Sequence, residues 1–336
     1  MSKHNNPFSN YIDLAQPRLG SEVVFATDDF FADKSRMIDP ADPVFIDGKF
    51  DHNGKWMDGW ESRRKRGTGY DYAVIRFGVP GVIVGIDIDT SHFTGNFPPG
   101  ASLQACVSDQ AIPDQSDWVA IHSSLKLKGN RHHYLKIKDQ QVYTHLRLNI
   151  YPDGGIARLR VYGRIKPDLS VSEPDELIDL LAMENGGRAI ACNDEHFGSM
   201  HNLNAPGRGI NMGDGWETAR RRVPGNDWAI LALGCMGVVE RIEIDTAHFK
   251  GNYPDRVSIQ AANVQGGVTE SIITESLFWK TLLPEQSLEM DKQHYFIDLN
   301  PEITAITHIR MNIFPDGGIS RVRLFGFVSR HESADS

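Results

Sequence analysis

A ten-residue motif that contains an aspartate, a histidine and an asparagine occurs twice in the chain. It runs from Asp89 to Pro98 and returns, 156 residues later, from Asp245 to Pro254. An alternating apolar run precedes each copy, so each copy begins where a half-buried strand ends. Loops held by a strand in this way commonly form sites. The motif supplies two candidate proton-transfer residues, His92 and His248, and two candidate binding residues, Asn96 and Asn252.

A tryptophan and a glutamate followed by a run of cations form a second doubled motif. It extends from Asp58 to Arg66 and from Asp214 to Arg222. Glutamate can accept or donate a proton, and arginine can bind a carboxylate through two parallel hydrogen bonds. The alternative is a packed tryptophan beside a structural ion pair, although the cations outnumber the acids here. The candidates are Glu61 and Glu217 for catalysis and Arg64, Arg66, Arg220 and Arg222 for binding.

Two alternating strands joined by a Pro-Asp-Gly-Gly turn close each copy, over His145–Gly163 and His308–Gly326. Because side chains alternate along a strand, Leu146, Leu148 and Ile150 fall on one face and the arginines fall on the other. The pattern predicts an apolar core face backed by a face rich in arginine. Further candidate binding residues on that second face are Arg147, Arg158, Arg310 and Arg321.

These motifs must be positioned by short strands. Neither copy contains a periodic segment of helix length, whereas Gly, Pro and Asp interrupt the apolar runs frequently. This pattern predicts an all-β chain, a tandem repeat of two jelly-roll β-sandwich domains. We expect the repeats at 12–170 and 171–330, since Ile12 to Leu14 matches Ile178 to Leu180. Between them we expect a linker from Pro167 to Pro174 and a short helix with Ser172 as its N-cap.

Composition bounds the class of protein. The chain has 336 residues, a formal charge of −9 and a pI near 5.8, which argue against nucleic acid or an anionic membrane as partner. The three cysteines have no short spacing, so we expect buried thiols in a reducing compartment. The N-terminal segment lacks an apolar signal core, and the longest near-apolar run, Trp228 to Val239, is too short to span a bilayer. We therefore expect a soluble, cytoplasmic protein.

Covalent and metal chemistry receive little support from the sequence. No serine or cysteine recurs at matched positions beside a base, which disfavours a nucleophilic mechanism. The chain has 13 histidines, and His132 and His133 are adjacent, but no pair has a His-x-His or helical i, i+4 spacing. The sequence requires no cofactor. A bound divalent metal such as manganese stays open as an alternative.

Together, the paired Gly-Trp-Glu-Ser/Thr, Asp-Thr-Ser/Ala-His-Phe and Pro-Asp-Gly-Gly motifs resemble those of the allantoicase family. The resemblance extends from Ile12 to Val328 and includes the tandem arrangement. It implies a repeated jelly roll similar to galactose-binding-like modules and a homo-oligomeric assembly. It also implies the hydrolysis of allantoate to ureidoglycolate and urea, in the breakdown of allantoin and purines.

The candidate residues suit that substrate. Allantoate carries one carboxylate and two ureido groups on one carbon, so arginine would bind its charge and asparagine its amide-like groups. The roles predicted are proton transfer for His92 or His248, and water activation or ureido binding for Glu61 or Glu217. The sequence does not decide whether one repeat or both form the site. The competing class is a non-catalytic tandem jelly-roll module that binds a carbohydrate or a small anion.

Overall fold

The structure is a computed structural model that describes residues 6–167 and 176–329. Its contacts divide the chain into two compact units, Met1–Pro167 and Asp168–Ser336. The predicted repeat boundary at residues 170 and 171 lies outside the described residues. Each unit is an antiparallel β-sandwich, which confirms the predicted fold class.

The strands are numbered in chain order, β1 to β22. In the first unit they are β1 Ile12–Asp13, β2 Glu22–Ala26, β3 Phe50–Asp51, β4 Gly54–Lys55, β5 Trp60–Glu61, β6 Asp71–Asp89, β7 Gly100–Cys106, β8 Val119–Lys126, β9 His132–Lys136, β10 Val142–Tyr151, β11 Gly155–Ile156 and β12 Arg158–Ile165. In the second unit they are β13 Ile178–Asp179, β14 Arg188–Cys192, β15 Trp216–Glu217, β16 Asp227–Asp245, β17 Arg256–Ala262, β18 Lys280–Ser287, β19 Gln293–Phe296, β20 Ile306–Phe314, β21 Gly318–Ile319 and β22 Arg321–Val328.

The two units have the same strand order. The main sheet runs β1-β12-β6-β10-β7-β8 in the first unit and β13-β22-β16-β20-β17-β18 in the second. A second, two-stranded pairing joins β5 to β11 and β15 to β21. The hairpin β3–β4 belongs to the long loop that only the first repeat has. The repeats thus differ in loops and agree in their sheets.

One long strand at the centre of each main sheet changes neighbours along its length. In β6, the residues from Asp71 to Arg76 pair with β10 and β2, and those from Gly81 to Asp89 pair with β12. Between these halves, Gly78 lies so close to the preceding loop that a Cβ there would be 1.8 Å from the carbonyl oxygen of Leu19. Only glycine permits this approach. The second half ends at Asp89, where the doubled loop motif begins.

The core lies where the alternation predicts it. Leu146, Leu148 and Ile150 of β10 are fully buried. The opposite face of the same strand is also covered: Arg147 is only 5 % exposed because Trp118 packs over its guanidinium, 4.9 Å from the ring centroid. In the second repeat, Arg310 has the same exposure. The arginine-rich face is therefore a covered layer.

Helices are short. The predicted helix that starts at Ser172 begins outside the described residues, and Ile178–Asp179 at its end form strand β13. The single α-helix of the described residues, α1, is Thr269–Glu275, in the segment that is longer in the second repeat. Short 3₁₀ turns occur in the loops at Pro17–Leu19, Lys34–Ile38, Met183–Asn185, Met200–Asn202, Met212–Asp214 and Ser276–Phe278.

Candidate functional site

The glutamate of the second motif and the asparagine of the first meet in both repeats. Asn96 Nδ2 donates to Glu61 Oε1 at 2.7 Å, and Asn252 Nδ2 donates to Glu217 Oε1 in the same way. The glutamates lie on β5 and β15, which pair with β11 and β21 directly after the Pro-Asp-Gly-Gly turns. All three doubled motifs therefore contribute to one cluster in each repeat.

Burial affects the first glutamate. The pKa of the Glu61 carboxyl is raised above its ordinary value, because burial disfavours the charged form and the hydrogen bond from Asn96 offsets only part of that rise. A raised pKa favours the protonated form of a carboxyl, and a protonated carboxyl can give its proton to a leaving group. The burial of Glu61 therefore favours a role as a proton donor.

In the second repeat the cluster opens onto a cleft of about 510 Å³. Glu217, Arg220 and Asn252 all contribute to its lining. Arg220 is exposed, and its guanidinium has no hydrogen-bond or ion-pair partner among the described residues. Phe197 and Tyr253 add aromatic walls. The cleft thus combines a free guanidinium, a carboxylate and an amide, which suits a small anion with several N–H groups.

The corresponding arginine of the first repeat is equally free. Arg64 is exposed and has no partner within the described part of the chain, whereas Arg63 and Lys65 on either side form ion pairs with Asp28 and Asp71. Arg66 and Arg222 are also exposed. Arg222 does not belong to the cleft lining.

Two of the predicted binding arginines form buried ion pairs within the fold. The Arg158 side chain is 3 % exposed, forms an ion pair with Asp58 at 2.9 Å and donates to the carbonyl oxygen of Ala41 at 2.8 Å. Arg321 forms the equivalent buried pair with Asp214 at 2.8 Å. Since these guanidinium donors are engaged inside the fold, they are poorly suited to bind a substrate.

The other two predicted arginines lie under aromatic rings. Arg147 donates to the side chains of Gln104 and Gln115, and Arg310 donates to Asn312 and Ser276. The pKa of Arg310 is lowered by burial. Neither belongs to the cleft, because both stand on the covered layer of the sandwich.

The two motif histidines fasten loops. His92 Nε2 lies 3.1 Å from the carbonyl oxygen of Pro43, and His248 Nε2 lies 2.8 Å from that of Gly209. Both residues have positive φ angles, 69° and 73°. His248 is not part of the cleft lining. The structure therefore brings together the predicted glutamates and asparagines, and it turns the predicted histidines toward neighbouring backbone.

Several residues of the cluster carry no chemistry in the sequence-based interpretation. Asp194 belongs to an acidic loop and Asp316 to a turn, yet both bind backbone beside Arg220. Phe197 lines the cleft although no motif contains it. Asp316 and Asp153 occupy the same position in the two Pro-Asp-Gly-Gly turns, and each accepts a hydrogen bond from a backbone amide. Their repetition in the sequence could have indicated a shared role.

The adjacent histidines His132 and His133 have partners of their own. His132 Nδ1 lies 2.7 Å from Asp87 Oδ2, and His133 bonds to the carbonyl oxygen of Ile88 and the amide of Lys128. Within residues 6–167 and 176–329, no group of three or more His, Cys, Asp or Glu side chains is arranged to hold a metal ion.

All three cysteines have free thiols. Cys106 is buried as expected, and burial raises the pKa of its thiol to about 11, whereas Cys192 and Cys235 are only partly buried. In the described residues, no helix has the length and apolar character needed to cross a membrane.

Comparison with known proteins shows that the chain is a hydrolase built from two jelly-roll repeats. The family model for the allantoicase repeat matches it twice, over residues 12–166 and 178–329. The chain belongs to the allantoicase family.

Individual relatives are similar over nearly the whole chain. It is 58% identical to a probable allantoicase 1 of Burkholderia mallei over 321 residues, which is 95% of each chain. It is 57% identical to a probable allantoicase of Pseudomonas fluorescens, covering 98% of this chain and 100% of that one. The crystal structure of an allantoicase from Saccharomyces cerevisiae is similar with a TM-score of 0.79 and 34% identity, covering 94% of this chain and 93% of the other.

Proposed function

We propose that the protein hydrolyses allantoate to ureidoglycolate and urea, and that the cleft of the second repeat binds the substrate. The observation that carries the proposal is the meeting of Glu217, Arg220 and Asn252 in one cleft. Membership in the allantoicase family and the names of the relatives support the choice of substrate.

Arg220 would bind the substrate carboxylate. Its guanidinium is exposed and unpartnered within the described residues, so binding an anion would break no existing ion pair. A guanidinium and a carboxylate form two parallel, charge-assisted hydrogen bonds. This contact would place the central carbon of allantoate at a set distance from the rest of the cluster.

Glu217 and Asn252 would serve the ureido group and the water. Asn252 donates one N–H to Glu217 through its amide nitrogen. Its amide oxygen would accept a hydrogen bond from a ureido N–H. Hydrolysis breaks the bond from the central carbon to a ureido nitrogen; water supplies hydroxide to the carbon and a proton to the nitrogen. Glu217 would take the proton from water and pass it to the departing urea. Loss of urea first, with water trapping an imine-like product, uses the same proton transfers.

The first repeat offers the same cluster with a different carboxyl. Because burial raises the pKa of Glu61, this group is the stronger candidate for a proton donor. The proton-transfer role predicted for His92 and His248 stays a prediction. Their ring contacts to backbone carbonyl oxygens support a loop-fastening role instead.

The test is the release of urea from allantoate by the purified protein, with and without EDTA and then with added manganese. We expect release that survives the chelator. Release restored only by manganese would redirect the assignment toward metal ligands. No release under any condition, together with monosaccharide binding in calorimetry, would favour the non-catalytic binding module.

A further inference from the structure

We propose that Asp194 and Asp316 are positioning residues that clamp the backbone on both sides of Arg220 and so direct its guanidinium into the cleft. This inference rests on the proposed function, because it explains how the group assigned to the substrate carboxylate is held in place. Neither aspartate needs to touch the substrate for this role.

The clamp consists of two backbone hydrogen bonds that flank one residue. The amide of Ala219 donates to Asp194 Oδ2 at 2.5 Å, and the amide of Arg221 donates to Asp316 Oδ2 at 2.8 Å. Hydrogen bonds to a carboxylate are stronger than those between neutral groups. Since both neighbouring amides are bound, the backbone at Arg220 cannot reorient without breaking one of the two hydrogen bonds, and its side chain therefore starts from a fixed point at the cleft.

Neither neighbour of Arg220 offers a cation to the cleft. Residue 219 is an alanine, and the guanidinium of Arg221 is held by Asp227 at 2.7 Å. Arg220 itself has no partner in the described part of the chain. The clamp therefore orders the backbone of Arg220 while its side chain stays available.

Both aspartates are themselves anchored. The carbonyl oxygen of Asp194 accepts from Trp216 Nε1 at 2.8 Å, and the Trp216 side chain is fully buried. Asp316 lies in the turn that Thr218 closes, where Thr218 Oγ1 accepts from the amide of Gly317 at 3.1 Å. Because both aspartates are attached to the fold in this way, the clamp fixes the backbone of Arg220 relative to the β-sandwich.

The first repeat contains the same clamp. The amide of Arg63 donates to Asp28 Oδ1 at 2.9 Å and that of Lys65 donates to Asp153 Oδ2 at 2.7 Å. The arginine between them, Arg64, again has no partner among the residues that the structure describes. The sequence separations within the clamp differ between the repeats, because the loops between its three segments differ in length. The same geometry with different loop lengths indicates that the position of the arginine matters.

A double-mutant cycle tests the clamp. The variants are Asp194→Ala, Arg220→Ala and the pair, with Asp298→Ala as a matched control, since Asp298 is exposed and outside the cleft. We expect Asp194→Ala to raise the KM for allantoate about tenfold and to leave kcat within about twofold. In the Arg220→Ala background, the same change should have no further effect on KM.

Asp194→Asn is the conservative variant. It keeps an acceptor oxygen, so we expect it to restore most of the loss, and it replaces Asp194→Ala if the latter lowers the thermal midpoint. Equal effects of Asp194→Ala in the presence and absence of Arg220, or a fall in kcat at unchanged KM, would overturn the proposal.

A second readout separates this inference from the proposed function. With ¹⁵N-arginine labelling, we expect the backbone amide of Arg220 to become more mobile on the nanosecond timescale in Asp194→Ala, while that of Arg256 in β17 does not change. An unchanged Arg220 amide would refute the clamp whatever the activity. Loosening of Arg220 in a protein that releases no urea would uphold the clamp and reject the function.

Discussion

The two repeats agree in their chemical cluster and differ in what surrounds it. Each has a glutamate bound by an asparagine and an arginine between two aspartate-bound amides. The first repeat has Arg63 and Phe30 where the second has Ala219 and His196. This contrast indicates that the cluster is the common element of the fold and that its surroundings can vary independently.

The side chains and loops around the cluster differ between the repeats. In the first repeat, Arg63 pairs with Asp28 at 2.6 Å and its guanidinium lies 5.0 Å from the ring of Phe30. The hairpin β3–β4 also approaches Phe31, since a Cβ on Gly54 would lie 3.9 Å from that ring. In the second repeat, Ala219 replaces Arg63, and the shorter loop has no counterpart of the hairpin among the described residues. The cluster residues themselves have similar exposure in the two repeats, since Arg64 and Arg220 are both exposed and Glu61 and Glu217 are both partly exposed.

The largest expected effect concerns the two glutamates. Glu217→Gln should lower kcat for allantoate by about 10²- to 10⁴-fold, because an amide cannot take a proton from water. Glu61→Gln should have a smaller effect, since the substrate is assigned to the cleft of the second repeat. Steady-state kinetics with both variants measure this. A larger loss in Glu61→Gln would reverse the assignment of the working repeat.

The second effect concerns the two histidines. His248→Asn and His92→Asn should leave kcat within about threefold and lower stability by about 1 kcal/mol each, the size of one lost hydrogen bond. Asparagine tolerates the positive φ at these positions, so the loop itself should keep its conformation. Activity assays and thermal denaturation measure the two quantities. A well-folded His248→Asn variant that has lost turnover would return the histidine to the mechanism.

The smallest effect is a difference in pH dependence. In the first repeat, the hydrogen bond to Asp87 raises the pKa of His132 above its ordinary value of 6.5. Two further acids, Asp89 and Asp42, act in the same direction. The stabilisation from this charged pair is complete below pH 6.5 and is lost as the pH rises through the folded-state pKa.

The second repeat places an arginine beside the corresponding acids. Arg208 binds Glu243 and Asp245, and arginine stays charged throughout this range. His132→Gln should therefore flatten the fall in thermal midpoint as the pH rises above 6.5, whereas Arg208→Gln should shift all midpoints equally. An unaltered pH profile in His132→Gln would show that the pair contributes nothing to the difference between the repeats.

Much of the fold was predictable because the signals are local. Alternation in Leu146, Leu148 and Ile150 reports the pleat of one strand, and the Pro-Asp-Gly-Gly turns report a change of direction. The doubling of all three motifs reports two repeats. Helix α1 was missed, since seven residues give too short a period to distinguish from a loop.

The candidate site was predictable only in part. The glutamates and asparagines stood out as doubled polar residues, and their meeting is a contact between strand β15 and the loop after β16. Arginines that look alike in sequence have opposite environments: Arg321 is buried against Asp214, whereas Arg220 faces the cleft. Alternation places a side chain on a face but does not say what covers that face.

The sequence by itself determined the number of repeats, the strands and the residue types available for chemistry, because these follow from periodicity and local backbone preference. Only the tertiary structure decided which arginines lack an ion-pair partner among the described residues, which glutamate is desolvated and which histidines contact the backbone of loops. Those properties depend on partners distant in the chain, and burial by such partners changes the free energy of a charge far more than its sequence neighbours do.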